Sequence, residues 1–209
     1  KNPKKVALIT SKKNFFFKKN RFEYQKTTFE ECEYLTNQYI NGLNFHQTTA
    51  RQTALVFIKP SVDFFAITFA LFYKGITPIF IDPGMGIKTL MNCIEEIKPD
   101  ILIAENKVHF IKLFFPKIFK SIKISIARGF WPRFLATPLK DFTKELGGIR
   151  SLTHFVPKKD DLSAILFTSG GTGKPKGVKY THDIFIHQIQ LLKEMFSLKS
   201  SMTDMSGFP

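Results

Sequence analysis

The stretch TALVFIKPSVDFFAITFALFYKGITPIFI, residues 53–81, predicts the fold class of this chain. It opens on a continuous apolar run of strand length at 53–58 and ends on a second such run at 76–81. Between them, Pro60-Ser61 opens a helix and Lys74-Gly75 closes it. Strands that are apolar throughout and joined by a helix are typical of a parallel sheet covered on both faces. The stretch therefore predicts a strand–helix–strand unit with parallel strands.

The alternation of strand and helix continues on both sides of this unit. Upstream, a strand at 6–10 precedes a helix that begins with the capping-box pattern of Thr27-Thr28 and Glu30-Glu31 and ends at Asn41-Gly42. The downstream elements are a helix over 87–97, strands at 101–104, 122–126, 162–167 and 178–181, and a helix from His182. This order predicts an α/β fold with mostly parallel sheets and helices on both faces.

Composition and charge exclude several classes of function. The chain has 31 lysines and arginines against 17 acidic residues, a formal net charge of +14. Only five of the basic residues are arginine, whose planar guanidinium suits phosphate and base edges, and the lysines are scattered along the chain. We therefore expect no nucleic-acid partner. Cys32, Cys93 and the five histidines lack metal-ligand spacing, so we expect no metal site built from them.

Targeting signals are weak in this sequence. The longest nearly apolar run, at 64–73, contains Thr68 and is far shorter than the roughly 20 residues that span a bilayer. No signal-peptide pattern opens the chain. We expect a cytoplasmic protein with no transmembrane segment. Because the chain opens on Lys1 and closes on SGFP, we also expect it to be a piece of a longer polypeptide.

A glycine-rich loop, TSGGTGKPKG at 168–177, follows the apolar strand at 162–167. Its glycines let backbone N–H groups approach anionic oxygens closely, while its hydroxyl and lysine side chains add donors and positive charge. Ligands of open α/β folds collect at the carboxyl ends of strands, where this loop begins. Composition alone also fits a surface turn with solvated lysines. It is not a Walker loop, because Gly173-Lys174 is preceded five positions earlier by Thr168 and followed by Pro175.

The complete loop resembles the phosphate-binding signature of the adenylate-forming enzymes, T-S-G-x-T-G-x-P-K-G. This group includes acyl-CoA synthetases, luciferases and the adenylation domains of peptide synthetases. Residues 60–86, PSVDFFAITFALFYKGITPIFIDPGMG, resemble the early strand–helix–strand of that family. The DPGMG turn at 82–86 and the closing GFP are similar to the fatty-acyl-CoA ligase-like branch with the β-lactone synthetases of olefin biosynthesis. One departure is Gly171, because the family usually has serine or threonine at this position. The missing hydroxyl could cost one hydrogen bond to phosphate, so we expect weaker use of ATP.

The resemblance implies that ATP, with Mg²⁺, is bound at this loop. The phosphate-binding residues it implies are Thr168, Ser169, Gly170, Gly171, Thr172, Gly173, Lys174, Lys176 and Gly177. It also implies a ligase that activates a carboxylic acid, fatty or β-hydroxy fatty, as an acyl-adenylate with release of pyrophosphate. A thioester with coenzyme A or an acyl carrier, or a β-lactone, would follow. The alternatives are a non-catalytic truncated remnant and a nucleotide-binding module of the same fold.

On this interpretation residues 1–209 are a partial N-terminal adenylation (AMP-binding) domain without the C-terminal lid domain. Residues 1–126 form its first α/β portion, 127–160 an irregular connection and 161–209 the phosphate-loop portion. The acyl pocket and the catalytic lysine of the lid have no match in this chain. We therefore leave the catalytic residues unassigned and expect the isolated chain to be inactive.

Three smaller predictions concern individual side chains. The helix after Ser61 carries four phenylalanines that we assign to the core rather than to an acyl chain, namely Phe64, Phe65, Phe69 and Phe72. We expect His182 to cap the helix that it opens. For Asp82 in the DPGMG turn two alternatives stay open, a local cap that holds a tight turn and a contact with ligand.

Overall fold

A computed structural model describes residues 2–13, 22–129, 132, 134–142, 155–168 and 175–204. Within these residues the strands and α-helices are β1 (Val6–Lys13), β2 (Phe22–Thr28), α1 (Phe29–Phe45), β3 (Thr53–Phe57), α2 (Val62–Lys74), β4 (Thr77–Ile81), α3 (Gly86–Ile97), β5 (Ile101–Glu105), α4 (Asn106–Phe114), β6 (Ile124–Arg128), β7 (Thr137–Pro138), α5 (Leu139–Phe142), β8 (Leu162–Thr168), β9 (Lys176–Thr181) and α6 (His182–Met195). No helix in these ranges has the length and apolar character needed to cross a membrane.

The main sheet has seven strands in the order β7-β6-β5-β3-β4-β8-β9. Strand pairs from β7 to β8 are parallel, and β9 runs antiparallel to β8. β1 and β2 form a separate two-stranded antiparallel sheet. The predicted α/β fold with a mostly parallel sheet is therefore confirmed. Because β8 pairs with β4, the strand that leads into the glycine-rich loop belongs to the same sheet as β3, β5 and β6.

The central strands are buried on both faces, which explains their continuous apolar sequences. In β3, Ala54 and Val56 pack into one core together with Ile67 of α2. Leu55, between them, points the other way and packs with Ile94 of α3 in a second core. Successive side chains of a strand point to opposite faces, so a strand covered on both faces needs apolar residues at every position.

Helix α1 begins where the sequence predicts and ends later. The Thr28 hydroxyl accepts the N–H of Glu31 at 3.2 Å, and the Thr28 N–H donates to the Glu31 carboxylate at 2.7 Å, so the capping box is confirmed. The predicted end at Asn41-Gly42 is wrong, because α1 continues to Phe45. A Cβ on Gly42 would lie 2.5 Å from both the ring and the carbonyl oxygen of Phe142. This glycine therefore permits close packing against α5 and does not end the helix.

The phenylalanines of α2 do not all lie in the core. Phe64 packs against it, as predicted. The prediction is wrong for Phe65 and Phe69, which are 39% and 56% exposed. The ring of Phe72 lies 5.9 Å from the ring of Phe185 in α6. A helix between two buried strands needs only one apolar stripe for the core, so its other aromatic residues can remain at the surface.

The cap of α6 also differs from the prediction. Thr181, and not His182, caps the helix, since its hydroxyl accepts the N–H of Ile184 at 3.2 Å. His182 is the first helical residue, and its N–H donates to the carbonyl oxygen of Asp161 at 3.0 Å. Threonine is a preferred cap because its short hydroxyl reaches the free N–H groups of the first turn.

The burial of His109 in α4 leads us to expect that the stability of the protein depends on pH. It is 2% exposed, and its Nε2 donates to the carbonyl oxygen of Ile126 at 3.0 Å. Burial lowers the pKa of His109 below its ordinary value of 6.5. The unfolded chain therefore binds more protons below about pH 6.5, and the free energy of unfolding falls as the pH drops through this range.

Urea unfolding measured between pH 7 and pH 5 tests this expectation. The protein should lose stability on acidification by up to about 1.4 kcal/mol per pH unit from this one group. The His109→Gln variant should show a shallower slope over the same range. Equal slopes for the two proteins would show that His109 does not contribute.

Candidate functional site

The two ends of the glycine-rich loop lie side by side at one edge of the main sheet. Thr168 ends β8, Lys176 begins β9, and their Cα atoms are paired in the antiparallel register. Both side chains are exposed. The predicted residues between these ends lie outside the described part of the chain, and they are Ser169, Gly170, Gly171, Thr172, Gly173 and Lys174. The described ends bring a hydroxyl and an ammonium group to neighbouring positions.

Gly177 has a packing role that the sequence did not reveal. It is paired with Phe167 across the β8–β9 register. A Cβ at position 177 would lie 3.1 Å from the Phe167 ring and 3.3 Å from the Ile165 side chain. The missing side chain thus leaves room for Phe167 to lie against β9 directly below the loop.

The DPGMG turn leaves the sheet beside the loop. β4 is parallel to β8, with Ile81 paired to Phe167, so the turn and the loop start about 4.8 Å apart at the same edge. The Gly84 N–H donates to the Asp82 carboxylate at 2.8 Å, and the Met85 N–H donates to the Asp82 carbonyl oxygen at 3.1 Å. Of the two alternatives for Asp82, these bonds favour the local cap of a tight turn.

A charged cluster lies at the carboxyl ends of β5 and β6, the same end of the parallel strands at which the loop leaves β8. Arg128, the last residue of β6, donates from Nε to Asp63 at 3.2 Å and from Nη1 to Glu105 at 3.1 Å. Glu105 ends β5, and Asp63 lies in the first turn of α2. The hydroxyl of Tyr39 in α1 donates to the second oxygen of Asp63 at 2.8 Å. The cluster therefore joins two helices to two strands.

The surroundings keep Arg128 and Tyr39 in fixed ionisation states. Burial disfavours the charge on Arg128, but the hydrogen bonds and negative charges of Glu105 and Asp63 outweigh it and raise the pKa of the guanidinium. Burial, the largest cause, and the charge of Asp63 both raise the pKa of Tyr39 well above its ordinary range. Tyr39 is only 2% exposed. It therefore remains a protonated donor to Asp63 at all moderate pH values.

A cavity of about 430 Å³ opens beside the charged cluster. Its lining consists of Leu35, Tyr39, Asp63, Arg128, Gly129, Leu139 and Lys140. β6 is four strand positions from β8, a separation of about 19 Å at the usual spacing. The cavity is therefore distant from Thr168, the end of β8 at which the loop begins. The cluster was not predicted from the sequence, although one signal was present, namely charged residues directly at the ends of the apolar strands β5 and β6.

Replacing Arg128 by methionine is expected to lower the free energy of unfolding by about 1–3 kcal/mol, because two half-buried carboxylates lose their partner. Lys123→Met is the matched control, because Lys123 also pairs with a carboxylate, that of Asp100, but its side chain is 70% exposed. That change should cost less than about 1 kcal/mol. Urea unfolding at pH 7 measures both values. Equal losses for the two variants would contradict a special role for Arg128.

The sequence matches the family model described as AMP-binding enzyme over residues 1–205. It is 34% identical over 158 residues to an olefin beta-lactone synthetase of Stenotrophomonas maltophilia, covering 74% of this chain and 28% of that protein. It is 30% identical over 182 residues to an olefin beta-lactone synthetase of Xanthomonas campestris, covering 87% of this chain and 32% of that protein. The chain thus spans 28% and 32% of the length of these two relatives.

Among solved structures, the apo structure of MbtA from Mycobacterium smegmatis is similar to this chain, with a TM-score of 0.74. The match covers 84% of this chain and 33% of that chain, at 17% sequence identity. At this identity the likeness concerns the fold. The parallel sheet and its helices are therefore shared with a known protein, while the chemistry of the site depends on the residues themselves.

Proposed function

Because this chain belongs to the AMP-binding enzyme family, we propose that the complete polypeptide activates a carboxylic acid with ATP, as an acyl-adenylate with release of pyrophosphate. The observation that carries this proposal is the loop at 168–177, which joins two strand ends at the ligand-binding edge of a parallel sheet. Residues 1–209 are then part of the N-terminal adenylation domain, and we keep 1–126, 127–160 and 161–209 as its proposed portions.

The chemistry requires positive charge and hydrogen-bond donors at the loop. A carboxylate is a poor acyl donor, because the group that would have to leave it is oxide. Its oxygen therefore attacks the α-phosphorus of ATP, and negative charge grows on the departing β- and γ-phosphates. We assign the Lys176 ammonium and the Thr168 hydroxyl to these phosphates, together with Ser169 and Thr172. The pairing of Thr168 with Lys176 in the β8–β9 register supports this assignment.

The glycines and the second lysine complete the proposed phosphate site. Gly170, Gly171 and Gly173 let backbone N–H groups approach the phosphate oxygens, and Lys174 adds charge. Gly177 belongs to the same proposed phosphate-binding set, and its lack of a side chain also leaves room for the Phe167 ring. The described residues contain no group of three or more His, Cys, Asp or Glu that could hold a metal ion. Mg²⁺ would be held mainly by the phosphate oxygens of ATP, as is usual for this ion.

We further propose that the acid is a β-hydroxy fatty acid and that the second step forms a β-lactone. Two relatives that are 34% and 30% identical over 158 and 182 residues both carry the name olefin beta-lactone synthetase. In this step the β-hydroxyl oxygen attacks the activated carbonyl carbon, its proton leaves, and AMP departs as the C–O bond to phosphate breaks. The competing outcome is a thioester with coenzyme A or an acyl carrier. We place this reaction in the cytoplasm.

ATP–pyrophosphate exchange by the complete polypeptide tests the proposal. We expect exchange that depends on a fatty acid, with the β-hydroxy acid turned over into lactone and AMP. Exchange that depends on acid but gives thioester in the presence of coenzyme A would leave adenylation intact and overturn the lactone step. ATP binding without exchange would identify a nucleotide-binding module, and neither binding nor exchange would identify a remnant.

A further inference from the structure

Helix α4 is apolar on two faces, of which only one is buried. Val108 is 1% exposed, and Ile111 packs against the second core. On the outer face, Phe110, Leu113 and Phe114 follow the helical spacing of three and four residues and are 55%, 47% and 66% exposed. The rings of Phe110 and Phe114 lie 5.2 Å apart, edge to face.

Phe115, directly after the helix, is 45% exposed and extends this surface. We call the four residues Phe110, Leu113, Phe114 and Phe115 the α4 patch. A surface helix normally turns charged or polar residues to water. Three exposed aromatic rings within six residues form a contiguous apolar surface, which in a protein marks a site of interaction.

The charged residues of the segment that carries the α4 patch are all of one sign. The segment 106–140 contains no aspartate or glutamate, so all 17 acidic residues of the chain lie elsewhere. The same segment carries the basic residues Lys107, Lys112, Lys117, Lys120, Lys123, Arg128, Arg133 and Lys140. Lys107, Lys117 and Lys120 are exposed and bracket the α4 patch along the chain. Lys112 and Lys123 are engaged within the fold, by Ser125 at 2.6 Å and Asp100 at 3.2 Å.

We propose that the α4 patch docks on the anionic surface of a lipid bilayer. The rings of Phe110, Phe114 and Phe115 enter the boundary between headgroups and acyl chains, and the helix lies in the plane of the interface. The exposed lysines that bracket the patch contact the acidic headgroups. Nine residues of helix are too short to cross a bilayer, so the docking is peripheral.

The charge pattern distinguishes the α4 patch from the exposed apolar residues of helix α6. Helix α6 has no buried residue and exposes Ile189 and Leu192 among others. Its charged positions are of both signs, since Asp183 and Glu194 accompany Lys193. A negatively charged bilayer would repel those carboxylates. In contrast to α6, α4 combines exposed aromatic residues with a segment, 106–140, whose charged residues are all basic. This combination favours an anionic lipid surface as its partner.

Vesicle flotation with the complete polypeptide tests the proposal without any reference to catalysis. The probes are phosphatidylcholine vesicles with and without about a third of phosphatidylserine. We expect binding to the anionic vesicles, weak binding to the neutral ones, and a loss of binding at high salt. The Lys117→Gln/Lys120→Gln variant should lower the partition coefficient roughly 25-fold, at about fivefold for each lysine. The Phe110→Ser/Phe114→Ser variant should lower it roughly tenfold or more.

Matched controls distinguish this surface from a general loss of apolar or basic residues. Tyr34 in α1 is 66% exposed, like Phe114, but α1 packs on the opposite face of the sheet. Tyr34→Ser and Lys4→Gln/Lys5→Gln should bind vesicles like the parent protein. If the phenylalanine variant does not fold, the lysine variant carries the test.

Several results would overturn the proposal. The proposal fails if the protein does not bind vesicles, or if it binds neutral and anionic vesicles equally. It also fails if the patch variants bind like the parent protein, or if the control variants lose as much binding as the patch variants. A further one is protection of the α4 amides and Phe114 from solvent in the vesicle-free complete polypeptide, measured by hydrogen exchange and footprinting. That protection would show that another segment of protein covers the patch.

Discussion

Replacing Lys176 with alanine is expected to lower the rate of ATP–pyrophosphate exchange of the complete polypeptide by about a hundredfold or more. Lys176 begins β9 where it is paired with Thr168, the last residue of β8. Its ammonium group would stabilise charge that grows on the departing pyrophosphate. Removing one donor that acts on developing charge typically costs a factor of about 10²–10³ in rate. Steady-state exchange with saturating acid measures the change.

Two features distinguish this effect from a loss of folding. Lys179→Ala is the matched control, because Lys179 is an exposed lysine on the same strand, three residues further from the loop. It should exchange within about threefold of the parent. The Lys176 variant should also unfold at the same urea concentration as the parent, since its side chain is exposed. Exchange by the Lys176 variant at the parental rate would remove this residue from the phosphate site.

Replacing Gly42 with valine is expected to lower the free energy of unfolding by at least about 3 kcal/mol. Its Cβ would lie 2.5 Å from the ring of Phe142 and equally close to the Phe142 carbonyl oxygen. The ring could rotate, but the carbonyl belongs to the backbone and moves only with α5. Overpacking of this kind typically costs about 1–3 kcal/mol, and more where backbone must shift. The better helix propensity of valine returns only a few tenths of a kcal/mol.

Urea unfolding followed by circular dichroism measures this loss. Glu33→Val is the control, since it places the same β-branched residue at an exposed position of the same helix. That variant should lose less than about 0.7 kcal/mol. A Gly42→Val protein within 1 kcal/mol of the parent would mean that α1 and α5 can separate without cost.

The core of the fold could be predicted from sequence because its signals are local. Residues 53–81 were predicted as strand, helix and strand, and β3, α2 and β4 occupy that stretch. Ser61 caps α2, and Gly75 ends it in the left-handed conformation with φ of 67°. Each of these effects acts within four residues along the chain, so residue types in order are sufficient to predict them.

The resemblance carried by the loop and by residues 60–86 is likewise confirmed, since the family model matches residues 1–205. A phosphate loop is a contiguous segment, so its motif survives in the linear sequence. The assignment of single loop residues to ATP remains a prediction. Lys176→Ala tests the part of it with the largest expected effect.

The sequence by itself determined the alternation of strands and helices, the loop and the family. Only the tertiary structure decided what the same residue types do elsewhere. Gly42 has the pattern of a helix stop yet lies inside α1, because Phe142, a hundred residues later, needs the space. Arg128 bonds to Asp63 and Glu105, which lie 65 and 23 residues away along the chain. Such contacts depend on which strands become neighbours in the sheet, and that order follows from packing the whole chain rather than from any short stretch of it.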